Sequence, residues 1–247
     1  MHSISNTQFS YRPYKCLCSL VATLACGFAV AQEPGTPVVE VKQPAEKAPA
    51  QRIQKQKLQE LELADGALTL SLPTEWKSVK PRSFILKYEF AVPAPKSSKS
   101  EESDDVEDEA AGKPGRLTIM SATGGVEANV QRWISQFKSE KGGGLSELKA
   151  DDKGQPPKAD KEGFYTEKIK AVGVTATLVD LRGTFSERPR GPLGPSVTLP
   201  NYRMLGLIIP TEKHGTWFVK FYGPAKTVDA AAKDYRAMAK RAKYAPN

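Results

Sequence analysis

The segment from Tyr202 to Ile209 carries apolar side chains on both of its faces, and it limits the fold more than any other stretch. Met204, Leu205, Leu207, Ile208 and Ile209 leave it no solvated side. Successive residues of a strand point to opposite faces, so a strand of this kind has to be covered on both. Thr216 to Tyr222 reads as its hairpin partner across Thr211-Glu212-Lys213-His214-Gly215. There Trp217, Val219 and Phe221 face one way, and Phe218, Lys220 and Tyr222 the other. Hairpin pairing with cover on two sides implies an α+β fold. The expected form is an α/β/α sandwich around a mostly antiparallel sheet of about six to seven strands.

The remaining elements fit that frame. Leu68, Leu70 and Leu72 alternate with Thr and Ser, and Phe84, Leu86, Tyr88 and Phe90 alternate with Ile85, Lys87 and Glu89, a mainly polar opposite face, which predicts two strands separated by a turn at Pro73-Thr74-Glu75-Trp76. Arg116–Ser121, Phe164–Lys170 and Val174–Arg182 read as further strands, the last two joined by Ala171-Val172-Gly173. Val126, Val130, Trp133, Ile134 and Phe137 form one apolar stripe, predicting a helix that runs to Gly142-Gly143-Gly144. A final helix is expected from an N-cap at Thr227 to about Tyr244, with Val228, Ala231, Tyr235, Met238 and Ala239 inward. Its outer face is basic, through Lys233, Arg236, Lys240, Arg241 and Lys243.

The N-terminal quarter reads differently. Arg12 and Lys15 precede an apolar run from Cys16 to Val30 that ends in Ala29-Val30-Ala31, the pattern of a cleavable secretory signal over residues 1–31. The run is shorter than the roughly 20 residues a bilayer span needs. This predicts export to a periplasmic or extracellular space, with no stable membrane span after cleavage. Residues 32–64 are expected to be a disordered spacer followed by a short helix over Gln51–Leu63, and the folded domain to occupy 65–247. Two loops interrupt that domain. Residues 97–112 crowd seven carboxylates into the nine positions from Glu101 to Glu109, and residues 187–199 are rich in Pro and Gly.

Several chemistries drop out. Cys16, Cys18 and Cys26 all lie in the signal, so the exported form would be disulfide-free and lack a thiolate. His214 would be its single imidazole, which excludes a His/Cys zinc site within one chain. The acidic loop lacks the ligand spacing of a calcium loop. The Thr123-Gly124-Gly125 turn before a helix lacks the Lys-Ser/Thr of a phosphate loop, and no Gly-x-Ser-x-Gly elbow occurs. No cofactor is expected. The net charge of +8 is spread along the chain with acidic residues interleaved. It suits weak affinity for anionic surfaces and gives no sign of nucleic-acid binding.

Leu68-Thr-Leu-Ser-Leu-Pro leading to Trp76, the Trp133 helix, and Trp217-Phe-Val-Lys-Phe-Tyr-Gly-Pro before a helix with Tyr235 and Met238 together resemble the PsbP-like family. That family's α/β/α sandwich is shared with a Ran-binding protein and with exported bacterial proteins of unknown role. The resemblance covers about residues 65–244 and implies a non-enzymatic domain that binds another protein or stabilises a complex. The expected role is therefore an exported, non-catalytic binding or accessory module whose partner is an envelope or extracellular protein. Arg203, Lys220 and Tyr222 are its candidate binding residues, in a groove between a helix and the sheet. Two alternatives stay open. One is a site for a small apolar ligand or lipid among Trp217, Phe218 and Tyr222. The other is a carboxylate-dependent hydrolase drawing on Asp180, Asp229 and Asp234, which needs two facing carboxyls about 5–10 Å apart.

Overall fold

A computed structural model describes residues 57–96, 112–158, 160–188 and 194–246. The chain divides into two units, 1–52 and 53–247, and every described residue lies in the second. The signal segment, the spacer up to residue 56 and the acid-rich stretch 97–111 fall outside the described residues.

The elements in chain order are β1 (Leu58–Leu63), a 3-10 turn (Ala64–Gly66), β2 (Leu68–Pro73), β3 (Lys77–Val79), β4 (Tyr88–Val92), β5 (Gly115–Ala122), α1 (Val126–Ile134) and β6 (Phe137–Lys138). There follow β7 (Gly163–Ala171), β8 (Val174–Glu187), β9 (Val197–Pro210), β10 (Thr216–Pro224), α2 (Ala225–Arg241) and β11 (Lys243–Tyr244). The main sheet has eight strands in the order β3-β4-β5-β10-β9-β8-β6, with β7 also paired to β8, and all these pairings are antiparallel. A second sheet, β1-β2-β11, has three strands. The main sheet is thus slightly larger than the sequence suggested.

The strand with two apolar faces is β9, and it is covered on both. Leu205, Leu207 and Ile209 join a core with α2 residues Val228, Tyr235 and Met238 and with Leu68, Leu70 and Leu72 of the small sheet. Met204 and Ile208 join a second core with Val130 and Trp133 of α1. Between them, a Cβ on Gly206 would sit 2.2 Å from the Trp133 ring. The absent side chain lets α1 lie close on the sheet, and Trp133 meets Phe218 edge to face at 6.0 Å.

Several boundaries differ from the sequence reading. Residues Leu58–Leu63 are a strand, not a helix, because they pair with Leu68–Pro73. The strand expected at Phe84 begins only at Tyr88, and Phe84 and Ile85 are exposed. Helix α1 stops at Ile134, well before the glycines, because Phe137 leaves it to pair with Phe185. The Pro/Gly loop is shorter than expected, since β8 runs to Glu187 and β9 starts at Val197. Helix α2 begins at Ala225, and the Thr227 hydroxyl, inside the helix, donates to the Lys113 carbonyl at 2.9 Å rather than capping. The helix ends at Arg241, after which Tyr244 pairs with Leu68. Among the described residues no helix is long and apolar enough to cross a membrane.

Candidate functional site

The three candidate binding residues do not share a face. Arg203 lies opposite Gly223 in the β9–β10 register, so it points with Trp217, Val219 and Phe221 toward α2. Lys220 and Tyr222 point toward α1. One groove therefore cannot hold all three, and the expectation of a single cluster is corrected.

Arg203 is 5% exposed and sits in a closed ionic network. Its guanidinium forks onto Asp180, Nε to Oδ1 at 2.9 Å and Nη2 to Oδ2 at 2.6 Å, while Nη1 reaches Asp229 Oδ1 at 2.7 Å. Arg236 bridges Asp180 and Glu167, and Arg182 holds Asp229. Burial alone would lower the Arg203 pKa, but the hydrogen bonds and charges of Asp180 and Asp229 raise it. Three guanidiniums and three carboxylates on β7, β8, β9 and α2 thus neutralise one another. They fasten α2 to the sheet. Asp180 pairs with Arg203 and Arg236. The space beside Asp180 and Arg203 amounts to only about 10 Å³. Asp234 lies elsewhere, on a cleft of about 230 Å³ lined by Trp76 and Pro93. Asp180 and Asp229 are both bonded to Arg203, so the guanidinium stands between the two carboxylates that the hydrolase alternative drew on.

The other face carries the larger feature, an open groove of about 540 Å³ lined by Arg116, Gln136, Phe185, Glu187, Lys220 and Tyr222. Its walls are fixed by backbone. The Ser186 amide donates to the Gln136 carbonyl at 2.8 Å, tying the exit of α1 to β8. Beyond Gly183 the β8–β9 register slips, with Gly183 opposite Tyr202 but Phe185 opposite Leu199. The extra residue is on β9, where Asn201 takes a φ of 53°. Such bulges re-aim side chains, and Phe185 and Glu187 here border the groove. Phe185 packs on Tyr222 at 5.2 Å and on Phe137 at 5.0 Å.

Lys220 is half-buried in this groove. Its ammonium donates to Gln136 Oε1 at 2.7 Å and lies 5.2 Å from the centre of the Phe185 ring and 5.1 Å from that of Tyr222. Among the described residues no carboxylate forms an ion pair with it. Its pKa is pushed down to about 7, chiefly by burial and also by the nearby charges of Arg132 and Arg116, with Glu187 opposing. Tyr222, whose hydroxyl accepts from Arg116 and donates to Glu187 at 3.0 Å, is pushed up to about 12 by burial, with Glu187 adding to the rise.

Arg116 and Glu89 complete the site, and the sequence reading singled out neither. Glu89 is 1% exposed and takes a fork from Arg116, Nε to Oε1 at 2.7 Å and Nη2 to Oε2 at 3.1 Å, besides the Arg82 amide at 2.9 Å. Burial raises its pKa, but these partners together hold it below the usual carboxylate range. Strand alternation places Glu89 on the face opposite Tyr88 and Phe90, which reads as solvated, so its burial was not legible from the sequence. His214 also proves engaged: its Nδ1 lies 3.2 Å from the Tyr244 hydroxyl, joining the β9–β10 hairpin to β11. The aromatic residues of the apolar-ligand alternative divide between faces. Trp217 and Phe218 are packed in opposite cores, and Tyr222 alone borders the groove. Among the described residues no group of three or more His, Cys, Asp or Glu is placed to hold a metal.

No family model matches this chain, and no curated protein matches it. It is similar to solved structures, among them the cyanobacterial PsbP of Synechocystis, at 9% identity and a TM-score of 0.40 over 81% of this chain and 99% of that one. Another is the Ran-binding protein Mog1p of Saccharomyces cerevisiae, at 10% identity and a TM-score of 0.37 over 76% and 96%. A third is LpqN of Mycobacterium tuberculosis, a protein involved in cell envelope biogenesis, at 10% identity and a TM-score of 0.32 over 77% and 91%.

Proposed function

We propose that this chain is an exported, non-catalytic binding module that grips a protein partner by seating one of the partner's carboxylates on Lys220. The observation that carries this reading is the state of the Lys220 ammonium. It is half-buried at an open groove and its hydrogen-bond partner is the neutral amide of Gln136. A desolvated cation without an anion is costly, and an incoming carboxylate relieves that cost. The aromatic walls from Phe185 and Tyr222 offer the apolar contact that surrounds such a charge in protein interfaces. A volume of about 540 Å³ admits one or two side chains of a partner. Export rests on the pattern of residues 1–31, a basic start, an apolar run and Ala29-Val30-Ala31.

The test is site-specific photo-crosslinking in the native envelope. A photoreactive residue replaces Ser135, which borders the groove, and in a control replaces Glu212 in the β9–β10 turn. A discrete adduct from position 135, absent from position 212 and lost when Lys220→Met is added, is the expected result. An adduct that survives Lys220→Met, or none at all, refutes the Lys220 reading.

A further inference from the structure

The connection between β3 and β4 presents an anomaly that folding does not explain. Residues Ser83 to Leu86 form a turn closed by the Leu86 amide on the Ser83 carbonyl at 3.1 Å. Its two central positions hold Phe84 and Ile85, which are 100% and 55% exposed. Turn corners ordinarily take Gly, Pro, Asn, Asp or Ser, because those residues suit the backbone and water. Here two large apolar side chains project into solvent. The base of the turn is firm: the Arg82 amide donates to buried Glu89 at 2.9 Å, and the Lys87 amide donates to the Ile119 carbonyl at 2.8 Å. Apolar groups are therefore held out on a rigid support.

The surroundings are cationic. From Lys77 to Lys87 the chain carries Lys77, Lys80, Arg82 and Lys87 and no carboxylate. Lys77 and Lys80 are exposed on or beside the edge strand β3, and exposed Arg82 is partly balanced by its ion pair with Glu89 at 3.3 Å. A convex apolar tip with a basic collar matches the interface of an anionic bilayer, where rings enter the acyl boundary and cations meet lipid phosphates. We infer that the Phe84–Ile85 turn is a membrane-contact tip that docks this domain on an anionic lipid surface. The inference is independent of the Lys220 groove. Shape favours lipid over a protein: a docking protein needs a cavity shaped for a fully projecting phenyl ring, whereas a bilayer supplies none and needs none.

The experiment uses the full chain carrying Phe84→Trp, with vesicles of phosphatidylcholine alone or with phosphatidylglycerol at 7:3. The native Trp76, Trp133 and Trp217 are buried, so the new indole reports on the tip even if another part of the chain also reaches the vesicle. On the 7:3 vesicles its emission is expected to shift to the blue and to be quenched by brominated acyl chains. Both effects should weaken in 0.5 M NaCl. Replacing Phe84 and Ile85 together by Ser should lower partitioning onto 7:3 vesicles at least about fivefold. Emission that stays water-like on these vesicles, or that responds equally to phosphatidylcholine alone, overturns the inference. A shift seen only with a lipid-free envelope protein fraction also overturns it and assigns the tip to a protein interface.

Discussion

Arg203 and Lys220 sit on neighbouring strands with opposite electrostatic fates. Arg203 is ringed by carboxylates, and its work is structural. Replacing it with Met leaves Asp180 and Asp229 with one guanidinium each, Arg236 and Arg182. Urea unfolding should then show a loss of about 2–4 kcal/mol, the scale of breaking a mostly buried ion pair. Arg203→Lys should recover only part of it, because an ammonium cannot make the fork onto Asp180. Lys220 behaves in the opposite sense. Its folded pKa lies near 7, below the unfolded value, so between about pH 7 and 10.4 the unfolded chain holds a proton that the folded chain has released. Stability from this group therefore rises with pH across that window, and its destabilising effect is complete below pH 7. Lys220→Met should flatten the rise, and its gain over the parent should be largest near pH 6. Denaturant midpoints measured from pH 6 to 10 check this, and parallel curves for the two proteins would contradict it.

Among the elements, β1 teaches most about what a sequence conceals. Gln, Lys, Glu and Leu favour helices, and Leu58 and Leu61 sit at helical spacing. Pairing with β2 overrides that propensity, and the same pairing places Leu63 in the core and Leu58 in solvent. Local periodicity carries no information about a partner that lies ten residues away. The early end of α1 has the same cause, since Phe137 continues the apolar stripe yet belongs to β6. By contrast β9 was legible, because burial on two faces is written in its composition. Parity was legible within β10 but not between strands: whether Arg203 shares a face with Lys220 depends on register, which the β9–β10 turn sets. Amide exchange resolves β1 directly. The hydrogen-bonded amides of Leu58–Leu63 should exchange as slowly as those of β2, whereas a loose helix there would exchange within the dead time.

At the scale of the whole molecule, two cores share one sheet and divide the labour. The α2 side is closed by apolar packing and the six-charge network, and it holds the small sheet in place. The α1 side is shorter, since α1 covers only part of the sheet and leaves β10 open at Lys220 and Tyr222. On the proposed reading, that unequal cover is what opens the sandwich to a partner's carboxylate. It also couples binding to protons. A carboxylate prefers the charged ammonium, so retention of the partner should weaken as pH rises above 7, by up to about tenfold per unit. The most direct measurement is the titration of Lys220 itself, followed by its ¹³Cε shift in selectively labelled protein, with and without saturating succinate as a carboxylate probe. A midpoint near 7 in the free protein that moves upward with succinate is the predicted result. A midpoint near the ordinary lysine value of about 10.4, or one near 7 that succinate leaves unmoved, would contradict the account.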